Sequence, residues 1–175
     1  MVKFEKYLSK TMEFETGGDK SGAYHKDPND KGGETKWGIS KNAYPDLNIA
    51  TLTYKKAATI YSTVYYNPLY ESITSERIAF KLFDMSVLMG PKTPIKLLQR
   101  VLKNILKLRL KVDGKYGPMT HAALESANKT QERAIYSNFL EKLGKRLGWI
   151  SLKPGNGKYL TGWLRRVNFT FKEIV

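Results

Sequence analysis

Phe4, Tyr7, Leu8, Thr11 and Met12 recur at the spacing of one helix face, which predicts a first helix over residues 3–14, stopped by Gly17-Gly18. From residue 17 to 46 this periodicity is lost. Gly, Asp, Asn, Pro and Lys dominate, with strand-like pieces only around Ala23-Tyr24 and over residues 36–39, so the stretch reads as a loop with a small β-hairpin. Helical spacing then returns. Thr53 has the form of a cap before Ala57, Ile60, Tyr61, Val64 and Tyr65, and Pro68 closes that helix. Ser75 opens another, where Ile78, Ala79, Leu82, Phe83, Val87 and Met89 make most of the girth apolar, as in a buried central helix. After Gly90-Pro91, Thr93-Pro94 fits a cap followed by proline at the first helical position. Leu97, Leu98, Val101, Leu102, Ile105 and Leu106 line one side of the helix it starts. A tight turn over 112–118 and helices over 119–128, 131–147 and 158–170 complete a mainly α fold with one small β-hairpin near the N-terminus.

The length of 175 residues allows one domain, or a domain with a closely packed extension. No run of about 20 apolar residues is present, so no transmembrane span is expected. The first fifteen residues lack the apolar stretch of a secretory signal. With no cysteine, disulfides, thiolate metal sites and a cysteine nucleophile are excluded. The two histidines, His25 and His121, have no HExxH-like spacing, which argues against a zinc peptidase or amidase. No metal or other cofactor is expected.

Thirty Lys and Arg against sixteen Asp and Glu give a net charge of +14, which seeks polyanions. Nucleic acid, anionic lipid and the anionic bacterial envelope all qualify. No helix-turn-helix, zinc-finger or RNP signature is present, so no specific nucleic-acid partner is expected. Segment 92–111, KTPIKLLQRVLKNILKLRLK, is cationic and amphipathic, the form of a helix that lies on an anionic membrane or envelope surface. The same pattern is more often a core-packed helix with a solvated basic face.

Glu15 falls at the C-terminal end of the first predicted helix, where the helix dipole disfavours a carboxylate. Phe14 and Met12 are placed to desolvate it. Both effects favour the protonated acid, and a protonated glutamic acid can donate to a glycosidic oxygen. The polar stretch that follows, DPNDKGGETKWGIS, supplies Asp27, Asp30 and Thr35. Asp30 could polarise a water or stabilise charge at an anomeric carbon, and Thr35 could hold that water. Gly32-Gly33 would let the backbone approach a sugar. Each residue also has an ordinary reading: Glu15 as a solvated helix end, DPND as a turn, Thr35 as a strand residue, and Trp37, Tyr65 and Tyr66 as core.

Residues 15–40, ETGGDKSGAYHKDPNDKGGETKWGIS, resemble the signature of glycoside hydrolase family 108. The matching positions are Glu15, Gly17-Gly18, Tyr24, Asp27-Pro28, Asp30, Gly32-Gly33, Thr35, Gly38-Ile39 and Ser40. Residues 52–69 resemble the family's next helix. FDMSVLMGP (83–91), LLQRVL (97–102), VDGKYGPMTHAAL (112–124) and YLTGWLRRVN (159–168) resemble the second half of such proteins, with its peptidoglycan-binding region. The resemblance implies a lysozyme-like helical fold and N-acetylmuramidase activity on the β-1,4 bond between N-acetylmuramic acid and N-acetylglucosamine. It makes Glu15 the catalytic acid; Asp30 and Thr35 of the polar stretch stand beside it as candidate catalytic partners. Tyr24, Trp37, Tyr66 and Gln99 become candidates for substrate contact. Residues 1–92 would be the catalytic part and 93–175 the peptidoglycan-binding part, packed as one compact unit.

Such proteins are often phage endolysins, held in the host cytoplasm before lysis and then acting on the cell wall from the periplasm; a monomer is expected. A bacterial autolysin and a non-catalytic cationic wall-binding protein are the competing readings.

Overall fold

The computed structural model describes residues 2–26 and 33–171. Among them are seven α-helices and one two-stranded antiparallel sheet. The chain divides into two compact units, Met1–Tyr66 and Asn67–Val175.

The first unit is built on α1 (Val2–Thr16) and α2 (Tyr54–Val64). The apolar face read from the sequence is the face α1 buries: Phe4, Tyr7, Leu8, Thr11 and Met12. It runs two residues further than the spacing predicts and buries Thr16 as well, so Glu15 lies inside the last turn. Thr53 caps α2 by accepting from Lys56 N at 3.3 Å, satisfying a backbone N–H that would otherwise have no partner. Tyr61 from α2 and Ile39, Ile49 and Leu52 from the intervening segment complete the core. Phe4 meets Tyr66 edge to face, with centroids 4.9 Å apart. The sheet is minimal: β1 (Thr35–Lys36) pairs with β2 (Ile39–Ser40), Thr35 opposite Ser40. An isolated bridge between His25 and Thr35 adds a third chain segment beside β1, close to the piece expected at Ala23-Tyr24.

The second unit surrounds α3 (Glu76–Met89) with α4 (Lys92–Leu106), α5 (Pro118–Glu125), α6 (Lys129–Ser151) and α7 (Leu160–Asn168). A short 3-10 turn, Pro68–Ser72, precedes them. Every residue of α3 from Ile78 to Ser86 is buried, as its all-round apolar pattern predicts. The helix α4 starts earlier than the Thr93-Pro94 cap predicts. Pro91 is already helical at φ −62°, and the Thr93 hydroxyl donates back to Met89 O at 3.1 Å instead of capping. Ile95, Leu98, Val101 and Leu102 of α4 are buried, so the apolar face of the basic segment 92–111 belongs to the core. A capping box of Asn128 and Gln131 starts α6, which is longer than expected, while α7 is shorter.

The central helix also buries charge. Arg166 of α7 donates from Nε to both carboxylate oxygens of Asp84, at 2.9 Å each. Lys81, one turn before Asp84, donates from Nζ to the Arg166 carbonyl at 2.6 Å. All three are buried. The rings of Phe80, Phe169 and Phe171 pack on one another beside them, and Lys81 Nζ sits 5.1 Å from the Phe80 centroid. Removing one partner of such a pair leaves the other charged and unpaired, at a cost of about 3–5 kcal/mol.

Two predictions follow from this cluster. Asp84→Ala should lose about 3–5 kcal/mol of stability in urea denaturation, by orphaning Arg166. Burial lowers the Lys81 amine to about 8, with Arg166 adding to the shift and Asp84 opposing it. Between there and the ordinary lysine value near 10.5 the unfolded chain binds more protons, so the penalty shrinks as pH rises. Relative to Lys81→Met, the wild type should therefore gain roughly 2 kcal/mol between about pH 7.5 and 9.5, measured as the difference between their urea stabilities.

Candidate active site

Glu15 is half-buried in the last turn of α1. The helix ends behind it because Gly17 and Gly18 take φ of 62° and 89°, and Gly18 N closes the end on Glu13 O at 3.1 Å.

The hairpin facing Glu15 turns through only two residues, Trp37 and Gly38, both at positive φ, 54° and 73°. Tight hairpins favour this backbone because its twist matches the strands, and they normally place Asn, Asp or Gly first. A tryptophan there is strained, and three contacts over-determine it. Its N–H donates to Gly22 O at 2.7 Å. Its carbonyl accepts from the Tyr61 hydroxyl at 3.0 Å. Its indole lies on the Gly22 backbone so closely that a β-carbon at Gly22 would stand 2.4 Å from the ring. Tyr54 adds an edge-on contact with centroids 5.3 Å apart.

Gly38 brings the hairpin to the glutamate. A β-carbon there would stand 2.5 Å from Tyr61 Oη and 3.0 Å from Glu15 Oε2. The carboxyl group of Glu15, the Gly38 backbone and the Tyr61 hydroxyl thus share one small space. Tyr65 follows Tyr61 by one helical turn, with centroids 5.6 Å apart. Burial pushes its hydroxyl up to about 12, helped by Tyr44, to which it is hydrogen-bonded, and by the charge of Glu15. Near neutral pH it is therefore a neutral donor close to the carboxyl group. A carboxyl group approached by backbone on one side, with the neutral Tyr65 phenol nearby, is placed as a positioned proton donor can be.

The other sequence candidates fall in different places. Thr35 is in β1, two residues before Trp37, and its backbone exchanges two hydrogen bonds of 2.8 Å with His25. Tyr24, next to that bridge, is exposed and presents its ring to solvent. Asp30, with Asp27, lies outside the described residues. Tyr66 is buried against Phe4. Gln99 is buried in the second unit, on α4, and its carboxamide is committed to the turn after that helix. Its nitrogen donates to Asp113 Oδ1, the Lys115 carbonyl and Thr120 Oγ1 at 3.0–3.1 Å, and its oxygen accepts from Gly114 N at 2.9 Å. Tyr66 thus packs in the core of the first unit, and Gln99 is held at the turn after α4.

Sequence reasoning missed Tyr61 and the close approach of Gly38. The four-residue spacing of Tyr61 and Tyr65 on one helix face was the available signal. Among the described residues, no group of three His, Asp or Glu side chains is placed to hold a metal ion.

Gly38→Ala tests the packing. The β-carbon would push Tyr61 and Glu15 apart, and alanine at this φ costs about 1–2 kcal/mol. Wall-lytic activity should fall on the order of a hundredfold, because small misplacements of a catalytic group are costly, with a drop of only a few degrees in Tm. Turbidity clearing and thermal denaturation of the same preparation would check both.

Comparison with known proteins adds the class of chemistry. Residues 10–90 match the model of the family described as glycosyl hydrolase 108, and residues 93–168 match a predicted peptidoglycan domain. No curated protein matches the chain. A solved structure of Brucella abortus SagA is similar in fold, with a TM-score of 0.65 and 23% sequence identity over 94% of this chain and 88% of that one. Two matches that together span nearly the whole sequence, on a mainly helical chain whose small hairpin meets a helix-end glutamate, make residues 10–90 a glycosyl hydrolase 108 domain and residues 93–168 a peptidoglycan-binding domain, and the protein a peptidoglycan hydrolase.

Proposed function

We propose that the enzyme is an N-acetylmuramidase, cutting the β-1,4 bond between N-acetylmuramic acid and N-acetylglucosamine, with Glu15 as general acid. The observation that carries this reading is the close approach of the Gly38 backbone to both the Glu15 carboxyl group and the Tyr61 hydroxyl at the helix end. Thr35 and Asp30, from the same hairpin region, position and activate the attacking water. Tyr24 and Trp37 supply the sugar contacts. Residues 1–92 carry catalysis and 93–175 wall attachment. The setting is lysis of a bacterial host from within by a phage endolysin, made in the host cytoplasm and acting on the wall once the membrane is breached. The family resemblance supports that setting. Among the described residues, no helix is long and apolar enough to cross a membrane. The enzyme acts as a monomer. The exposed Arg100, Lys103 and Lys107 beside the buried face of α4 add attraction to an anionic envelope.

Glu15→Gln keeps the size of the side chain but cannot donate a carboxyl proton. Its rate on purified peptidoglycan should fall on the order of a hundredfold or more with folding intact; near-wild-type clearing would remove Glu15 from the mechanism. Mass spectrometry of the wild-type digest should show N-acetylmuramic acid at the new reducing ends, and N-acetylglucosamine there would assign the other glycosidic bond. A water-activating role for Asp30 and Thr35 requires inversion at the anomeric carbon. NMR of fresh product showing retained configuration would overturn that role alone.

A further inference from the structure

We infer that the turn joining α6 to α7 is a docking surface for an anionic lipid bilayer. The helix α6 ends at Ser151, and the chain returns through residues 152–156 and the short 3-10 turn Gly157–Tyr159 into α7. Large apolar side chains point outward at this corner. Leu152 is 82% exposed, Trp149 52% and Tyr159 49%, and Leu164 is exposed on α7. The corner is firmly built: Lys153 N donates to Ile150 O at 3.2 Å, Asn156 N to Lys153 O at 3.0 Å, and the Asn156 side chain to Ile150 O at 3.2 Å. Its apolar groups are therefore held outward by a hydrogen-bonded frame.

Charge identifies the occupant. From residue 142 to 171 the chain contains no Asp or Glu, whereas Lys153 and Lys158 stand among the exposed apolar groups. Lys153 Nζ lies 5.2 Å from the Trp149 centroid and Lys158 Nζ 5.0 Å from that of Tyr159. Leucine beside tryptophan and tyrosine, with lysine ammonium groups against the rings, is the composition that settles at a headgroup boundary: apolar groups enter the acyl region while ammonium groups meet phosphate.

A glycan strand fits less well. Aromatic side chains hold sugars through a bare ring face, and these rings already carry neighbours. The Arg146 guanidinium lies 4.5 Å over Trp149, and Trp163 stacks on Tyr159 with centroids 5.8 Å apart. Exposed leucines add nothing to sugar recognition but bury well in lipid.

The test uses the full chain and two kinds of vesicle, phosphatidylcholine alone and phosphatidylcholine with phosphatidylglycerol. Co-sedimentation should occur with the second kind only and weaken with salt. Leu152→Ser should weaken it, and the double variant Lys153→Gln/Lys158→Gln should reduce affinity by more than about tenfold. Both should keep the wild-type circular dichroism spectrum and the wild-type turnover of soluble glycan fragments, so the outcome is separable from the identity of the bond cut. Absence of binding to phosphatidylglycerol vesicles overturns the inference, as does binding that neither variant changes. Variants that bind vesicles normally but are no longer retained on lipid-free peptidoglycan would assign the corner to the wall instead.

Discussion

The hairpin reaches the end of α1 only because Gly38 has no side chain. Any β-carbon at that position would collide with the Tyr61 hydroxyl and press on Glu15, so the proximity of glutamate and hairpin is set by a missing group. The same close packing fixes the residue before it. Trp37 is held at a φ that a bulky side chain avoids, at a cost of order 1–3 kcal/mol that its surroundings must offset. Gly22 does so from one side by giving the indole a flat seat, and Tyr61 from the other by bonding the Trp37 carbonyl. Tyr61 thus takes part in both halves of the arrangement, supporting the turn through its hydroxyl and lining the space beside the carboxyl group.

Much of the helical framework was legible because burial in a helix leaves a periodic trace. The buried residues of α1, Thr16 apart, are those its spacing selects, the Thr53 cap forms, and the all-round apolar pattern of α3 corresponds to burial on all sides. Limits were less legible, since Pro91 enters the helix ahead of what looked like a cap. The hairpin was found as a region, and Glu15 was singled out from its place at a helix end. What could not be read was pairing at long range. Lys81 and Asp84 look like polar interruptions in an apolar helix, yet both are buried, because Arg166 comes to them from 82 residues beyond Asp84. Gln99 reads as a polar residue in an apolar stretch of sequence, while its partners are fourteen to twenty-one residues further on, in and just after the turn that follows α4.

The buried pair also joins the two matched regions. Asp84 belongs to the span that matches the hydrolase family and Arg166 to the span that matches the peptidoglycan domain. The last helix of the catalytic family is thus part of the core of the second compact unit. A chain cut between the matched spans would leave Lys81 and Asp84 without Arg166 and strip α3 of the packing of α4 and α6. The two spans are separate in sequence comparison, but residues 67–90 of the first belong to the second compact unit and help build its core.

Lys81 has a further consequence. Its amine, lowered to about 8, carries a larger share of free base at neutral pH than a surface lysine does, and the free base is the form that attacks acylating reagents. Its complete burial withholds it from every such reagent while the second unit is closed. Acylation of this one side chain must await an opening that frees it from Arg166 and the surrounding phenylalanines. The rate at which Lys81 is modified, followed by peptide mapping against the exposed lysines of the same molecule, is therefore a built-in clock for how often the core of the second unit comes apart.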